Sequence, residues 1–188
     1  MGRWQPDSYG RLQEAALALY SERGFDQTTA AQIADRAGLT ERTFFRHFAD
    51  KREVLFGGAA ILKQRILEGV TGAPVTDGAL DAVARGLDAA SAMLGESRRD
   101  LTRLRHHVIS ANPELREREL SKLADYAESI SAALRDRGVG EPQATLAAET
   151  GMTVLRVAMQ RWAYGSDGDL GEVMQDSFAE LRAVAAET

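Results

Sequence analysis

Apolar residues recur along this chain at steps of three and four, and no stretch alternates strictly, so the pattern predicts helices and no strands. Tyr9, Leu12, Ala16 and Leu19 follow Asp7 and Ser8, either of which can cap a helix, and Gly24 stops it, which places a first helix over residues 8–23. Thr29 caps a shorter helix with Ile33, Ala34 and Ala37 as its inner face; Gly38, free to take positive φ, ends it. Thr40 caps a third helix that stops near Phe48. Asp50 with Glu53 three residues on reads as the capping box of a fourth, expected to run to about Gly69.

The remainder is helical with few breaks. Leu80, Val83, Leu87 and Leu94 mark a fifth helix, and Leu101, Leu104 and Val108 a sixth. Asn112 followed by Pro113 opens a seventh, with Leu120, Leu123, Ala127, Ile130 and Leu134 expected on its inner face and Gly138 at its end. Pro142 opens an eighth that Gly165 closes. Asp169 and Glu172 cap a ninth, with Leu170, Val173, Met174, Phe178, Leu181 and Val184 expected inside. The expected fold class is therefore all-α. A three-helix module over residues 1–52 would be followed by a larger helical domain over 53–188.

The stretch TERTFFRHFADKREVLF, residues 40–56, is the least ordinary part of the chain. Three phenylalanines within five positions are interleaved with Arg42, Arg46, His47, Lys51 and Arg52. A helix this short buries one narrow face, here Phe44, Phe48 and part of Phe45. The opposite face is left to Thr40, Glu41, Arg42, Thr43, Arg46 and His47. Two short helices joined by a glycine turn, the second with polar and cationic side chains outward, have the form of a helix-turn-helix whose second helix enters the DNA major groove.

The run GFDQTTAAQIADRAGLTERTFFRHFADKREVL resembles the DNA-binding domain of TetR-family repressors, with Gly24, Thr29, Ile33, Ala37, Gly38, Thr40, Phe44, His47, Phe48 and Lys51 at the family's spacing. The resemblance covers about residues 8–56 and implies phosphate contacts from Thr29, Thr40, Thr43, His47 and Lys51. Hydroxyls at helix N-termini suit such contacts. Glu41, Arg42 and Arg46 are the candidates for base edges, since arginine can grip guanine through two acceptors. Phe45 stands where the family commonly has tyrosine, so a hydroxyl contact to phosphate is lost there. Arg3 and Trp4, ahead of the first helix, are candidates for a minor-groove arm, against the alternative of a frayed terminus.

Charge narrows the location of any DNA contact. The net charge is −5, yet residues 1–52 carry +1 and residues 53–188 carry −6, so only the N-terminal quarter can meet phosphate without repulsion. The chain has no cysteine, which removes disulfides, thiolate metal sites and cysteine nucleophiles together. No run approaches the roughly 20 apolar residues of a membrane span and the N-terminus lacks a signal core, so a cytoplasmic protein is expected, with no membrane partner. His106 and His107 are adjacent on a helix and point about 100° apart, which rules them out as two ligands of one metal. With no phosphate-cradling glycine loop and no nucleophile elbow, neither an enzyme nor a cofactor is expected.

Beyond residue 56 the resemblance extends to architecture alone, a helical domain for ligand binding and dimerisation. A small, apolar effector is expected in a pocket lined by Leu87, Leu104, His107, Tyr126 and Met152. The eighth helix carries apolar residues on two faces, so a partner helix is expected against it. Leu155, Met159, Trp162, Phe178 and Leu181 are the predicted dimer contacts. The expected protein is thus a homodimeric, ligand-responsive repressor on a palindromic double-stranded operator, the alternative being a helical module that binds a protein instead of DNA.

Overall fold

A computed structural model describes residues 7–165 and 168–186 of the chain; Arg3 and Trp4 lie outside them. The described residues form α-helices and short 3-10 turns, with no strand among them. Two compact units result. One comprises the residues through Gly58 together with Leu104–Glu117, and the other Ala59–Arg103 with the residues from Arg118 onward. The division therefore differs from a cut at residue 52: the first unit runs six residues further and takes in a distant segment of the chain.

In the first unit α1 spans Ser8–Arg23 and is capped by Asp7, whose carboxylate accepts from Gly10 N at 2.7 Å. Its inner face of Leu12, Ala15, Ala16, Leu19 and Tyr20 is buried, and Phe25, just past the stop at Gly24, packs on Tyr20 with ring centroids 5.2 Å apart. Helix α2 spans Ala30–Arg36 and α3 spans Glu41–His47. Phe44 is wholly buried, and Phe48 lies 5.5 Å from it and 5.0 Å from Tyr9, so an aromatic wedge fixes α3 to α1.

The expected fourth helix is broken at its start. Glu53–Phe56 forms a single 3-10 turn, and α4 begins only at Ala59 and runs to Gly72. Asp50 does cap, accepting from Arg52 N at 2.8 Å and Glu53 N at 3.1 Å, but it caps the turn and not α4. Val54, Leu55 and Phe56 are all buried, which three successive residues of a half-exposed α-helix cannot be. Gly57 and Gly58 then let the chain change direction, Gly58 with φ 84°.

The second unit packs α4 against α5, Ala79–Ser91, through a glycine contact. A Cβ on Gly86 would stand 2.6 Å from Ile66 O, and one on Gly69 2.6 Å from Gly86 Cα, so the two backbones approach as only glycines allow. Helix α6, Arg99–Ala111, and α7, Pro113–Asp136, are separated by Asn112 alone. Helix α8 spans Gln143–Tyr164, and α9 spans Leu170–Ala186 behind a reciprocal capping box in which Asp169 Oδ1 accepts from Glu172 N at 2.9 Å and Glu172 Oε2 from Asp169 N at 3.1 Å. Val83, Leu87, Ile130, Leu134, Trp162, Met174 and Phe178 share one core. Leu94 lies beyond the end of α5. Leu120 at 62% and Val184 at 67% exposure are on the surface, contrary to their expected inner positions.

Candidate nucleic-acid interface

The α2–turn–α3 segment is held by local chemistry at every joint. Thr29 Oγ1 accepts from Gln32 N at 3.2 Å while Gln32 Oε1 accepts from Thr29 N at 3.0 Å, a reciprocal cap that starts α2. Gly38, with φ 64°, lets Leu39 N donate to Ala34 O at 2.8 Å and closes the helix in a Schellman-type stop. Thr40 Oγ1 accepts from Thr43 N at 3.2 Å and starts α3 two residues after that stop.

Distant residues then fasten the joints. Arg11 of α1 donates from Nη2 to Ala37 O, over the turn between α2 and α3. Tyr20 OH donates to Lys51 O at 2.5 Å, and burial, with the charge of Asp50 behind it, raises the phenol's pKa so that it stays protonated and donating. Arg36 grips Glu22 with two bonds of 2.6 Å, and that hydrogen bonding holds the Glu22 carboxyl below the usual carboxylate range. Both groups are exposed, so the pair orients α2 on α1 more than it stabilises it. None of these residues stood out in the sequence, because each finds its partner 14 to 31 positions away.

The outward face of α3 carries Thr40, Glu41, Arg42, Phe45 and Arg46, all exposed. Phe45 is 53% exposed and stands edge-on to the buried Phe44 at 5.3 Å. Arg42 and Arg46 make no ion pair with a described residue. Thr29 is exposed at the start of α2, and Thr43 is half-buried with Oγ1 3.0 Å from Thr40 Oγ1. His47 is half-buried, with Nε2 2.8 Å from Ser8 Oγ and its ring edge-on to Tyr9 at 6.1 Å, so it links α3 to the start of α1.

Lys51 is placed differently from its expected phosphate role. Its ammonium donates to Phe25 O at 2.8 Å, Asp26 O at 3.2 Å and Thr28 O at 2.9 Å, and sits 4.4 Å from the centre of the Phe25 ring. All three protons are taken by the α1–α2 turn, so the side chain works as an internal clamp. Lys51→Met is expected to destabilise the first unit by about 1.5–3 kcal/mol, the range for hydrogen bonds to a charged group. Thermal melting checks this; an unchanged melting point with weaker DNA binding would return Lys51 to the phosphate contacts.

The five predicted effector residues divide between the two units. Leu87, Tyr126 and Met152 are buried in the second unit, where Tyr126 OH donates to Ala59 O at 2.6 Å. Leu104 and His107 belong to the first unit, and His107 is exposed, because α6 turns that position to solvent while Val108 and Ile109 face inward. The predicted dimer contacts are likewise mostly internal. Trp162 is 0% exposed, Leu155 and Phe178 are buried, and Met159 and Leu181 pack half-buried against the same core. What α8 leaves outside is a different row: Leu146 at 63%, Val157 at 36% and Tyr164 at 51% exposure.

The family model for bacterial regulatory proteins of the tetR family matches residues 12–56, the helix-turn-helix and its supports, and a model for the MftR C-terminal domain matches residues 77–186, more than half of the chain. The chain belongs to the TetR family. The putative mycofactocin biosynthesis transcriptional regulator MftR of Mycobacterium tuberculosis is 24% identical over 184 residues, 95% of this chain and 91% of that protein. The regulator TcmR of Streptomyces glaucescens is 34% identical over 73 residues, 39% of this chain, and the match spans about a third of TcmR, 32% of its length. Among solved structures, the regulator FadR from Bacillus subtilis in complex with stearoyl-CoA superposes with a TM-score of 0.61 at 19% identity, over 90% of this chain and 95% of that one. This TetR-family chain is thus a transcriptional regulator with an N-terminal helix-turn-helix and a helical C-terminal domain. Among its described residues no helix is long and apolar enough to cross a membrane.

Proposed function

We propose that this TetR-family chain is a repressor that binds a two-fold operator as a homodimer and is released by a small apolar effector. The observation that carries the reading is the outer face of α3, where Arg42 and Arg46 stand exposed, with no ion pair to any described residue, on a helix anchored by Phe44. An unpaired guanidinium on a rigid helix loses little freedom when it meets a guanine edge, and Glu41 beside it can accept from cytosine N4. Thr29, Thr40, Thr43 and His47 border this face and position it on phosphate, while Phe45 offers an apolar contact to a thymine methyl. The division at residue 52 gives way in this reading to a head that extends through Gly58.

Dimerisation is assigned to the outer row of α8. Leu146, Thr150, Thr153, Val157, Gln160 and Tyr164 follow at steps of four, three, four, three and four, the spacing of a helix seam. Shallow clefts flank both ends of it, one lined by Leu80, Leu146 and Thr150 among others, the other by Val157, Gln160 and Tyr164. The effector is placed among the apolar side chains of the second unit, with Leu87, Tyr126 and Met152 as its nearest candidates; acyl thioesters of coenzyme A are the first compounds to titrate.

Base reading by Arg46 is tested by substitution. Arg46→Ala is expected to relax preference at particular base pairs at a cost of about 1–3 kcal/mol on the operator, with little change on random duplex. Binding to a panel of single-base operator variants checks this. An equal loss on operator and random DNA would reduce Arg46 to a phosphate contact.

A further inference from the structure

Among the described residues of the first unit, one large apolar side chain is left exposed, that of Phe45. Its neighbours Phe44 and Phe48 are both buried. Glu41, Arg42 and Arg46 are the other exposed residues of α3. At about 100° per residue these four follow one another around the helix in the order Glu41, Phe45, Arg42, Arg46, over an arc of about 140°. Phe45 therefore lies inside the arc, between a carboxylate and a guanidinium, and not at its margin. Its ring is also braced, meeting the ring of the wholly buried Phe44 at 5.3 Å with the planes 85° apart, an edge-to-face contact.

The chemistry of the duplex narrows what such a ring can meet. A phosphate is a hydrated anion, and phenylalanine has neither charge nor hydroxyl to replace the water it would displace. Base edges in the major groove present donors and acceptors, which an aromatic ring cannot satisfy, and one apolar group, the C5-methyl of thymine. Arg42 and Arg46 on one side of Phe45 suit guanine O6 and N7, and Glu41 on the other suits cytosine N4. Phe45 is the one member of the arc that neither gives nor takes a hydrogen bond, so it matches the one group in the groove that does neither.

From this placement we infer that Phe45 makes α3 a reader of the C5-methyl group of a pyrimidine, so that 5-methylcytosine serves in place of thymine at the base it meets, whereas uracil and plain cytosine do not. The inference rests on the reading of α3's outer face as the surface that enters the major groove. It deepens that reading by naming a chemical group that is recognised without a hydrogen bond. Because the ring is already held by Phe44, little side-chain freedom is lost when the methyl group packs on it. Cytosine methylation at this base therefore strengthens binding, the opposite of what a steric block would do.

The test uses an operator selected from random duplexes by the full-length chain. Each thymine of one half-site is replaced in turn by uracil, which removes the methyl group and keeps every hydrogen-bonding group, and affinity is measured by fluorescence anisotropy. One position is expected to lose about fourfold, the worth of one buried methyl group. Cytosine placed at that position should bind more weakly still, and 5-methylcytosine should recover about the same fourfold. Phe45→Ala, at an exposed site that leaves the fold intact, should be indifferent to both exchanges, while Phe45→Leu, which keeps an apolar contact, should retain part of the response. A wild type indifferent to uracil at every thymine would overturn the inference while leaving base reading by the arginines intact. A methyl effect that persists in Phe45→Ala would overturn it by assigning the contact to another residue. An equal loss for Phe45→Ala on operator, uracil operator and random duplex would do so too, since the ring would then rest on the sugar-phosphate backbone. A wild type that selects no sequence would sink the base-reading face itself, and this inference with it.

Discussion

Trp162→Ala is expected to lower the stability of the second unit by about 3–5 kcal/mol, the range for deleting a large aromatic side chain from a packed core. Its side chain is 0% exposed, in the core shared with Leu87, Met174 and Phe178, and the guanidinium of Arg99 covers its ring at 5.3 Å. The indole Nε1–H has no hydrogen-bond partner among the described residues, so Trp162→Phe removes a desolvated donor along with some volume. That variant should keep the fold with a far smaller loss. Calorimetric melting of the two variants checks the contrast. A Trp162→Ala chain that melts like the wild type but runs as a monomer would restore Trp162 to the dimer seam.

Val157→Glu should do the reverse, splitting the proposed dimer while the single chain stays folded. Val157 is 36% exposed on the outer row of α8, midway between Thr153 and Gln160, so a carboxylate there costs the isolated chain little. In a two-fold seam the substitution places two carboxylates in one apolar contact, where an unpaired buried charge is strongly unfavourable. Operator affinity should then fall by about 10²–10⁴-fold, because the second half-site no longer benefits from the effective concentration that linkage to the first provides. Light scattering and operator titration on one preparation decide the matter. A variant that remains dimeric would move the interface off α8's outer row.

The two cases show where periodicity stops being informative. Helix α8 carries apolar residues on two faces, and a count by threes and fours cannot say which face meets the chain's own core and which meets solvent or a partner. Trp162, the largest residue on the helix, looked like an interface anchor for that reason. Packing turned it inward, against α5 and α9, and left the modest row of Leu146, Val157 and Tyr164 outside. The surroundings of Lys51 and His107 lay beyond the reach of periodicity for a related reason. The carbonyls that hold Lys51 lie at Phe25, Asp26 and Thr28, which only the packing of the first unit brings within reach.

What the sequence determined by itself is the set of features settled within a few residues of chain. Thr29 and Thr40 start their helices through side chains that reach three positions ahead, Gly38 takes the turn, Asp169 and Glu172 cap each other, and Phe44 and Phe48 must go inward from so short a helix. These are local free-energy differences of about 0.5–2 kcal/mol each, legible wherever they occur. The helix-turn-helix is made almost wholly of them, and so was read correctly. Tertiary structure alone decided where α4 begins, although Gly57 and Gly58 stood in the sequence as a sign, because Asp50 caps a 3-10 turn as readily as an α-helix. It also decided that the ends of α6 and α7 join the reading head. The partners in that choice, Leu55 with Arg105 and Arg52 with Glu114, are 50 and 62 residues apart, and no local preference of either residue encodes the other.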